Sequence, residues 1–468
     1  MKGVTIFYTP GTGLPDFEMR IALGLCGAAL NSVKPEKIRL IEEFDRYLIK
    51  IDEESNIANS LMTKALGWLC QNRLSDQSLL LRIPGFRRRH IDNQSSKLAD
   101  FGKKLLSTGG DLNNVFVENV RGRKGSHATA CGHKYPKAKK ITDAILPLSP
   151  QLGKPPKRNS SILNPPGIPL CPYCVATSIA GTVYFQMNVN INNPDRSKKE
   201  RFFFLPHFRG ESTGEQLAIY LAVAKHLSGN LENIPASTAL IVLLSLYPHL
   251  IDSFHDSVSS FFVGRAESSG NVTRYGYQAE QSASIEFPFL KDVYNRALVQ
   301  DCYRSNERSR LLSLFTDSLH NLEEKSALDF ARTYVGVKEG KMMLPWATTE
   351  FFIKEAFNMD KSLLEGDKFD VIKKVSDMLQ YFVRERNFGY VDNLRKARDA
   401  DEFAKLLLDA QREAQSGMLD PKKQAKPYLP GQSTIQNMLL LVNDNEKQFH
   451  SVQTLVALLA FTYYKKEA

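Results

Sequence analysis

The chain has 468 residues, 43% hydrophobic and 24% charged, with 61 Lys+Arg against 51 Asp+Glu and a formal net charge of +10. At about 150 residues per domain this is room for about three domains with full cores, which excludes a disordered tail, a collagen-like rod and a disulfide-stapled miniprotein. The longest apolar run, Ala239 to Tyr247 broken only by Ser245, is too short to span a bilayer. The opening Met1-Lys2-Gly3-Val4 lacks the apolar stretch and small-residue cleavage site of a signal peptide, so the sequence reads as intracellular.

Val4 to Tyr8 predicts a strand, and Pro10 to Pro15 a turn, because Gly and Pro break both periods. Glu18 to Leu30 predicts a helix, Arg39 to Ile51 paired strands, and Asn59 to Gln71 a short amphipathic helix. The stretch from Arg82 to Pro166 is rich in Gly, Pro and basic residues and predicts irregular structure rather than long helix. From Thr182 to Ile191 the residues Val183, Phe185, Met187, Val189 and Ile191 alternate with polar or aromatic neighbours, which predicts a half-buried strand. Arg201 to Phe208 would pair with it across Asn193-Pro194-Asp195. Ser212 and Glu215 form a candidate capping box for a helix over Gln216 to His226, and Pro235 to Leu246 predicts a buried helix. Beyond Arg308, helical spacing recurs at 311–322, at 351–357, at Phe369, Ile372, Val375, Leu379 and Phe382, at Phe403, Leu406, Leu407 and Ala410, and at Val452, Leu455, Val456, Leu459 and Tyr463. The predicted class is α+β: a mixed α/β body with a basic insertion and an antiparallel sheet, then a C-terminal helical bundle. The parts run 1–80, 81–210, 211–310 and 311–468.

The charge is concentrated. Arg82 to Arg209 holds 22 Lys+Arg and 7 Asp+Glu, a net of +15, which leaves −5 for the rest. Such a local excess is the footprint of a polyanion, most often nucleic acid; a solvated basic face is the alternative. Arg87, Arg88 and Arg89, then Arg121, Arg123 and Lys124, are the best candidates for phosphate or base contacts. Lys137, Lys139 and Lys140 follow, then Lys198, Lys199 and Arg201. Phe86, Tyr135 and Phe202 to Phe204 are aromatics beside them, although the Phe triplet also suits a buried strand.

Of six cysteines, Cys26, Cys70 and Cys302 stand alone and read as core residues. Cys131-Gly132-His133 and Cys171-Pro172-Tyr173-Cys174 are different, since together they supply the four soft or borderline ligands that tetrahedral zinc requires. Cys131, His133, Cys171 and Cys174 are therefore a candidate structural zinc site pinning two basic loops; reduced loop cysteines or a redox Cys-x-x-Cys pair are the alternatives. No phosphate-binding Gly-x-x-x-x-Gly-Lys loop and no Gly-x-Ser-x-Gly elbow occurs. The best catalytic pattern is His249, Asp252, His255 and Asp256, with His226 earlier, which could bind divalent metal for phosphoester hydrolysis or cap the exposed end of a helix.

An α/β N-terminal part, a basic region with a Cys-Pro-x-Cys pair, and a helical C-terminal part containing Asn393 to Phe403 resemble the large subunit of CRISPR type I Cascade complexes. The resemblance is to subtypes I-A and I-B, and within them to the Myxococcus–Anabaena kind, some members of which serve CRISPR-associated transposons. It implies a non-catalytic, cytoplasmic prokaryotic protein. Its implied partners are guide RNA, target double-stranded DNA with its flanking motif (PAM), the backbone and handle-binding subunits, small subunits, and a downstream helicase-nuclease or transposition proteins. The N-terminal part would read the PAM and help open the R-loop, while the guide reads the sequence. The helical part would guide the displaced strand, with Lys373, Lys374, Arg384, Arg386, Arg395 and Arg398 as candidates and a solvated helical face as the alternative. Met342 and Met343 would be an internal start yielding a self-contained small subunit, or two ordinary methionines before a helix. A metal-dependent nuclease and a zinc-containing RNA-binding protein remain the other function classes.

Overall fold

The structure, a computed structural model, describes residues 3–13, 15–74, 88–108, 112, 115–116, 131–133, 171–192, 198–224, 229–232, 234, 238–248, 251, 258–269, 272–321, 324–339, 342–356, 361–420, 426–443 and 446–463. The architecture is α+β, with sheets in the N-terminal half and helices in the C-terminal half. The chain divides into two compact units, Met1–Asn233 with Tyr247–Phe287, and Ile234–Leu246 with Pro288–Ala468. Among the described residues, no helix is long and apolar enough to cross a membrane.

The first unit opens with β1 (Thr5–Tyr8), α1 (Pro15–Leu30), the hairpin β2 (Ile38–Glu43) and β3 (Arg46–Ile51), and α2 (Ser55–Asn72). Ile38 faces Ile51 and Leu40 faces Ile49, and these four are buried on one face of the hairpin, while Leu48 is buried on the other. The turn before α1 is closed by Glu18, whose carboxylate accepts from the Gly11 and Thr12 amides and the Thr12 hydroxyl. Then come α3 (Arg88–Thr108), α4 (Pro172–Phe185), β4 (Met187–Asn192), β5 (Lys198–Phe208), β6 (Glu211–Thr213), α5 (Gly214–Ala224), β7 (Gly229–Glu232), β8 (Val258–Ser269) and β9 (Val272–Ser282). One sheet has the order β1-β3-β2-β6; the other, β7-β4-β5-β8-β9, is antiparallel except where β4 meets β7. Phe202, Phe203 and Phe204 are all buried on β5, which gives them to the core rather than to base stacking.

The packing of α1 on α4 is what carries the candidate site. A Cβ at Gly24 would fall 1.9 Å from the Thr177 carbonyl oxygen, and one at Gly181 would fall 2.0 Å from the Arg20 carbonyl oxygen. Only glycine permits this approach, and it brings the two backbones into direct contact.

Three expectations for this unit need correction. Residues 88–108 are a helix, not irregular structure: the Gly and Pro punctuation lies on either side of most of its length, and Ser95, Leu98 and Leu105 repeat on a buried helical face. The strand expected from Thr182 begins at Met187, because Thr182 to Phe185 finish α4. That helix is buried from Cys174 through Thr182, and a helix buried all round loses the 3.6-residue period that separates it from a strand. The capping box is shifted by one residue to Thr213 and Gln216, which bond reciprocally at 2.8 and 3.3 Å, while Ser212 belongs to β6.

The second unit holds α6 (Ala239–Leu246), α7 (Val293–Arg304), α8 (Arg308–Asn321), α9 (Glu324–Val337), β10 (Leu344–Pro345), α10 (Gly366–Arg384), α11 (Gly389–Lys396), α12 (Ala400–Leu419), α13 (Gln432–Asn443), α14 (Glu446–Ala460) and β11 (Thr462–Tyr463). The residues at helical spacing fill its core, among them Phe315, Ile372, Leu379, Phe403, Leu407, Val452 and Leu459. The expected helix at 351–357 is a short helix, Trp346–Phe351, continued by a π-helical turn over Phe352–Ala356. Tyr463 leaves the α14 face and sits half-exposed on β11, where it pairs in parallel with Pro345. Residues after Met342 bond to helices that precede it in the same unit. Thr348 donates to Asn295 on α7 at 2.6 Å, Thr454 donates to Glu324 on α9 at 2.7 Å, and Arg395 bridges Asp329 on α9 at 3.2 Å.

Candidate metal centre

Cys171 is the N-cap of α4, with extended backbone angles (φ −70°, ψ 150°), and Pro172 takes the first helical position, where its missing N–H costs nothing. The expected loop is therefore a helix start. Its geometry turns the Cys174 amide onto Cys171 Sγ at 3.3 Å, which sets the two sulfurs side by side. Facing them, Gly132 has φ +71°, a left-handed conformation that reverses the chain and lets Cys131 and His133 converge despite a single intervening residue. The Cys171 amide donates to Cys131 Sγ at 3.4 Å, and His133 Nδ1 lies 3.3 Å from Cys171 Sγ and 3.2 Å from Cys174 Sγ.

All four ligand atoms lie within 4.8 Å of one another, and all four side chains are buried. Sulfur and nitrogen at these separations suit a tetrahedral ion with bonds of about 2.0–2.3 Å. Phe116 meets the His133 ring edge-on at 5.7 Å, and Phe101 of α3 meets Tyr173 likewise at 5.2 Å, so aromatic walls orient the imidazole and the knuckle. Hydrogen bonds from the Cys171 and Cys174 thiols pull Cys131 below the usual thiol range. Burial pushes Cys171 and Cys174 well up. A dication held by all three sulfurs would displace their protons. This is the single such cluster among the described residues.

Behind the knuckle, Arg20 is fully buried between α1 and α4, with Nη1 donating to Thr182 Oγ1 at 2.6 Å. Asp16 lies one turn earlier on α1. Burial pushes its carboxyl up against the opposing pull of Arg20, and burial brings Arg20 down to about 10. A second polar chain ties the sheets together: His207 on β5 contacts Tyr47 Oη at 2.8 Å, Glu42 Oε1 at 3.3 Å and Ser260 Oγ at 3.2 Å, and it stacks on Phe262. Neither group was readable in sequence, because the partners lie 53 to 165 residues apart.

The basic candidates divide. Arg87, Arg121, Arg123, Lys124, Lys137, Lys139 and Lys140 lie outside the described residues, as do His226, His249, Asp252, His255 and Asp256. Arg88 and Arg89 start α3, and Lys198 and Lys199 start β5. Arg201 donates to Asn190 Oδ1 across the β4–β5 pair at 2.7 Å. In the second unit Lys374 pairs with Asp370, Arg386 with Glu339 and Arg395 with Asp329. Lys373 and Arg384 lie on α10, and Arg398 precedes α12, its amide donating to Glu402. Arg386 and Glu339 both hold positive φ (61° and 57°), each just past a helix end. Arg386→Gly should relieve left-handed strain while losing an exposed ion pair worth little, for a net gain of about 0.5 kcal/mol read as a higher Tm; a lower Tm would assign the pair a larger role.

No protein-family model matches the chain, and no curated protein matches it.

Proposed function

We propose that the chain is the non-catalytic large subunit of a CRISPR RNA-guided DNA surveillance complex of the type I Cascade kind. The observation that carries this reading is the buried Cys131, His133, Cys171 and Cys174 set lying inside the +15 segment. Three thiolates and an imidazole favour zinc over hard cations, and four protein ligands leave no open position for catalysis. The ion would fasten residues 131–133 to the start of α4, and so brace the basic stretches between them and before them. Those stretches, with Arg87 to Arg89 and Arg121 to Lys124, would meet the target-flanking duplex while the guide RNA reads the sequence. The division into an α/β unit and a helical unit supports the same reading.

The test is co-expression of the full chain with a guide-RNA array, backbone subunits and a handle-binding subunit. The purified complex should contain the chain and zinc, bind duplex only when the flanking motif is present, and lose affinity steeply with salt. Failure to enter a guide-RNA complex rejects the reading. Manganese- or magnesium-dependent cleavage abolished by His255→Ala would replace it with a nuclease, and single-strand RNA binding indifferent to duplex motifs with an RNA-binding protein.

A further inference from the structure

We infer that the tip of the β2–β3 hairpin is a protein-docking surface, with Phe44 as its anchor and a partner that offers an apolar pocket rimmed by Lys or Arg. This rests on the reading that the chain works inside a multi-subunit complex.

Phe44 is 106% exposed, whereas Phe7, Phe17, Phe185 and many other phenylalanines of the chain are fully buried. It sits in a two-residue turn between Glu43 and Arg46, a place that favours Gly, Asn or Asp. A bulky apolar side chain there gains the isolated protein no burial, which leaves the ring available to a partner.

The turn is held firmly. Arg46 bridges Glu43 at 2.9 Å and lies over the Tyr8 ring at 4.5 Å. The Glu42 amide donates to the Gly210 carbonyl at 2.8 Å, and its carboxylate accepts from the Gly210 amide at 3.2 Å. A side chain presented on a braced turn loses little freedom on docking, which favours affinity.

Charge selects the partner. Glu42, Glu43 and Asp45 bracket Phe44, and the first two side chains are 30% and 42% exposed. Exposed aromatics can also wedge between base steps, but three carboxylates against the single guanidinium of Arg46, which bridges Glu43, leave the tip net acidic and repel a phosphate backbone. They attract the basic rim of a protein pocket, and a buried aromatic centre within a charged rim is the usual build of a binding hot spot.

The experiment uses the full-length chain and the guide-RNA complex assembled without it, and measures the affinity of rejoining. Phe44→Ser should weaken rejoining by about tenfold or more with Tm unchanged, because the ring packs against nothing in its own chain. Glu43→Lys should weaken it too, by a margin that shrinks at high salt. Phe44→Ser rejoining with wild-type affinity overturns the surface. So does a variant that rejoins normally and fails only in opening the duplex, which would give Phe44 to nucleic acid. If the wild-type chain does not rejoin, the proposed function fails and this partner falls with it, a result distinct from either of the others.

Discussion

Cys174→Ser should strip the metal centre and loosen the first unit from the start of α4 outward. The serine hydroxyl cannot serve as a soft anionic ligand, so the site drops to three protein ligands, and metal affinity should fall by more than the roughly 10–100-fold that outer-shell changes cost. The effect extends beyond the ion. Cys171 caps α4 through its sulfur, and α4 runs from the knuckle to the glycine contact with α1. Metal binding free energy at a site that the unfolded chain lacks is folding free energy. Zinc content after dialysis should fall to background in Cys174→Ser and stay at wild-type level in Cys302→Ala, which removes an equally buried thiol from the other unit. Hydrogen exchange should rise at residues 131–133 and through the first turns of α4. Retention of zinc with unchanged exchange in Cys174→Ser would remove these four residues from consideration as a metal site.

The ligand set was legible because its chemistry is local: a Cys-x-x-Cys and a Cys-x-His are short words that survive without three-dimensional context. What was not legible is how the chain makes them meet. Cys171 to Cys174 looked like a loop, since Gly and Pro surround it, yet Pro172 is suited to the first position of a helix. The strand misplaced at Thr182 has the same origin. A helix buried on every side reads apolar without period, and its last turn merged with the true alternation of Met187, Val189 and Ile191. In the second unit the 3.6-residue spacing of Ile372, Val375 and Leu379 marks a helix with one wet face, so α10 was readable from sequence. The assignment of α6 to that unit was not, because its residues are apolar throughout and say nothing about which core receives them. Arg20 illustrates the same limit. An arginine within Glu18-Met19-Arg20-Ile21 reads as the wet side of a helix, and only the arrival of α4 more than 150 residues later buries it.

That burial leads to the second large effect. Arg20→Met should destabilise the first unit by about 1–3 kcal/mol, because it removes the hydrogen bond to Thr182 and the only opposing charge acting on the buried Asp16 carboxyl. Asp16 would remain 7% exposed beside an apolar side chain, its Oδ2 already without a hydrogen-bond partner. The double variant Asp16→Asn/Arg20→Met keeps an acceptor at the helix start and carries no buried charge. It should recover most of the loss, because Arg20 Nε and Nη2 also lack partners and their desolvation is not repaid. Urea unfolding of the four proteins closes the cycle, and the two sites should show strong coupling; additive losses would mean that they act independently. The pH dependence gives a second readout. Burial raises the Asp16 carboxyl above 3.8 even with Arg20 present, and removing the guanidinium removes the largest opposing pull. A carboxyl raised in the folded state contributes stability that is complete below its unfolded value and is lost as pH rises through its folded value. The deficit of Arg20→Met relative to the wild type should therefore shrink on acidification toward pH 3.8, whereas the deficit of the double variant should widen slightly over the same range, because only the wild type regains the stability that its raised Asp16 carboxyl costs at higher pH.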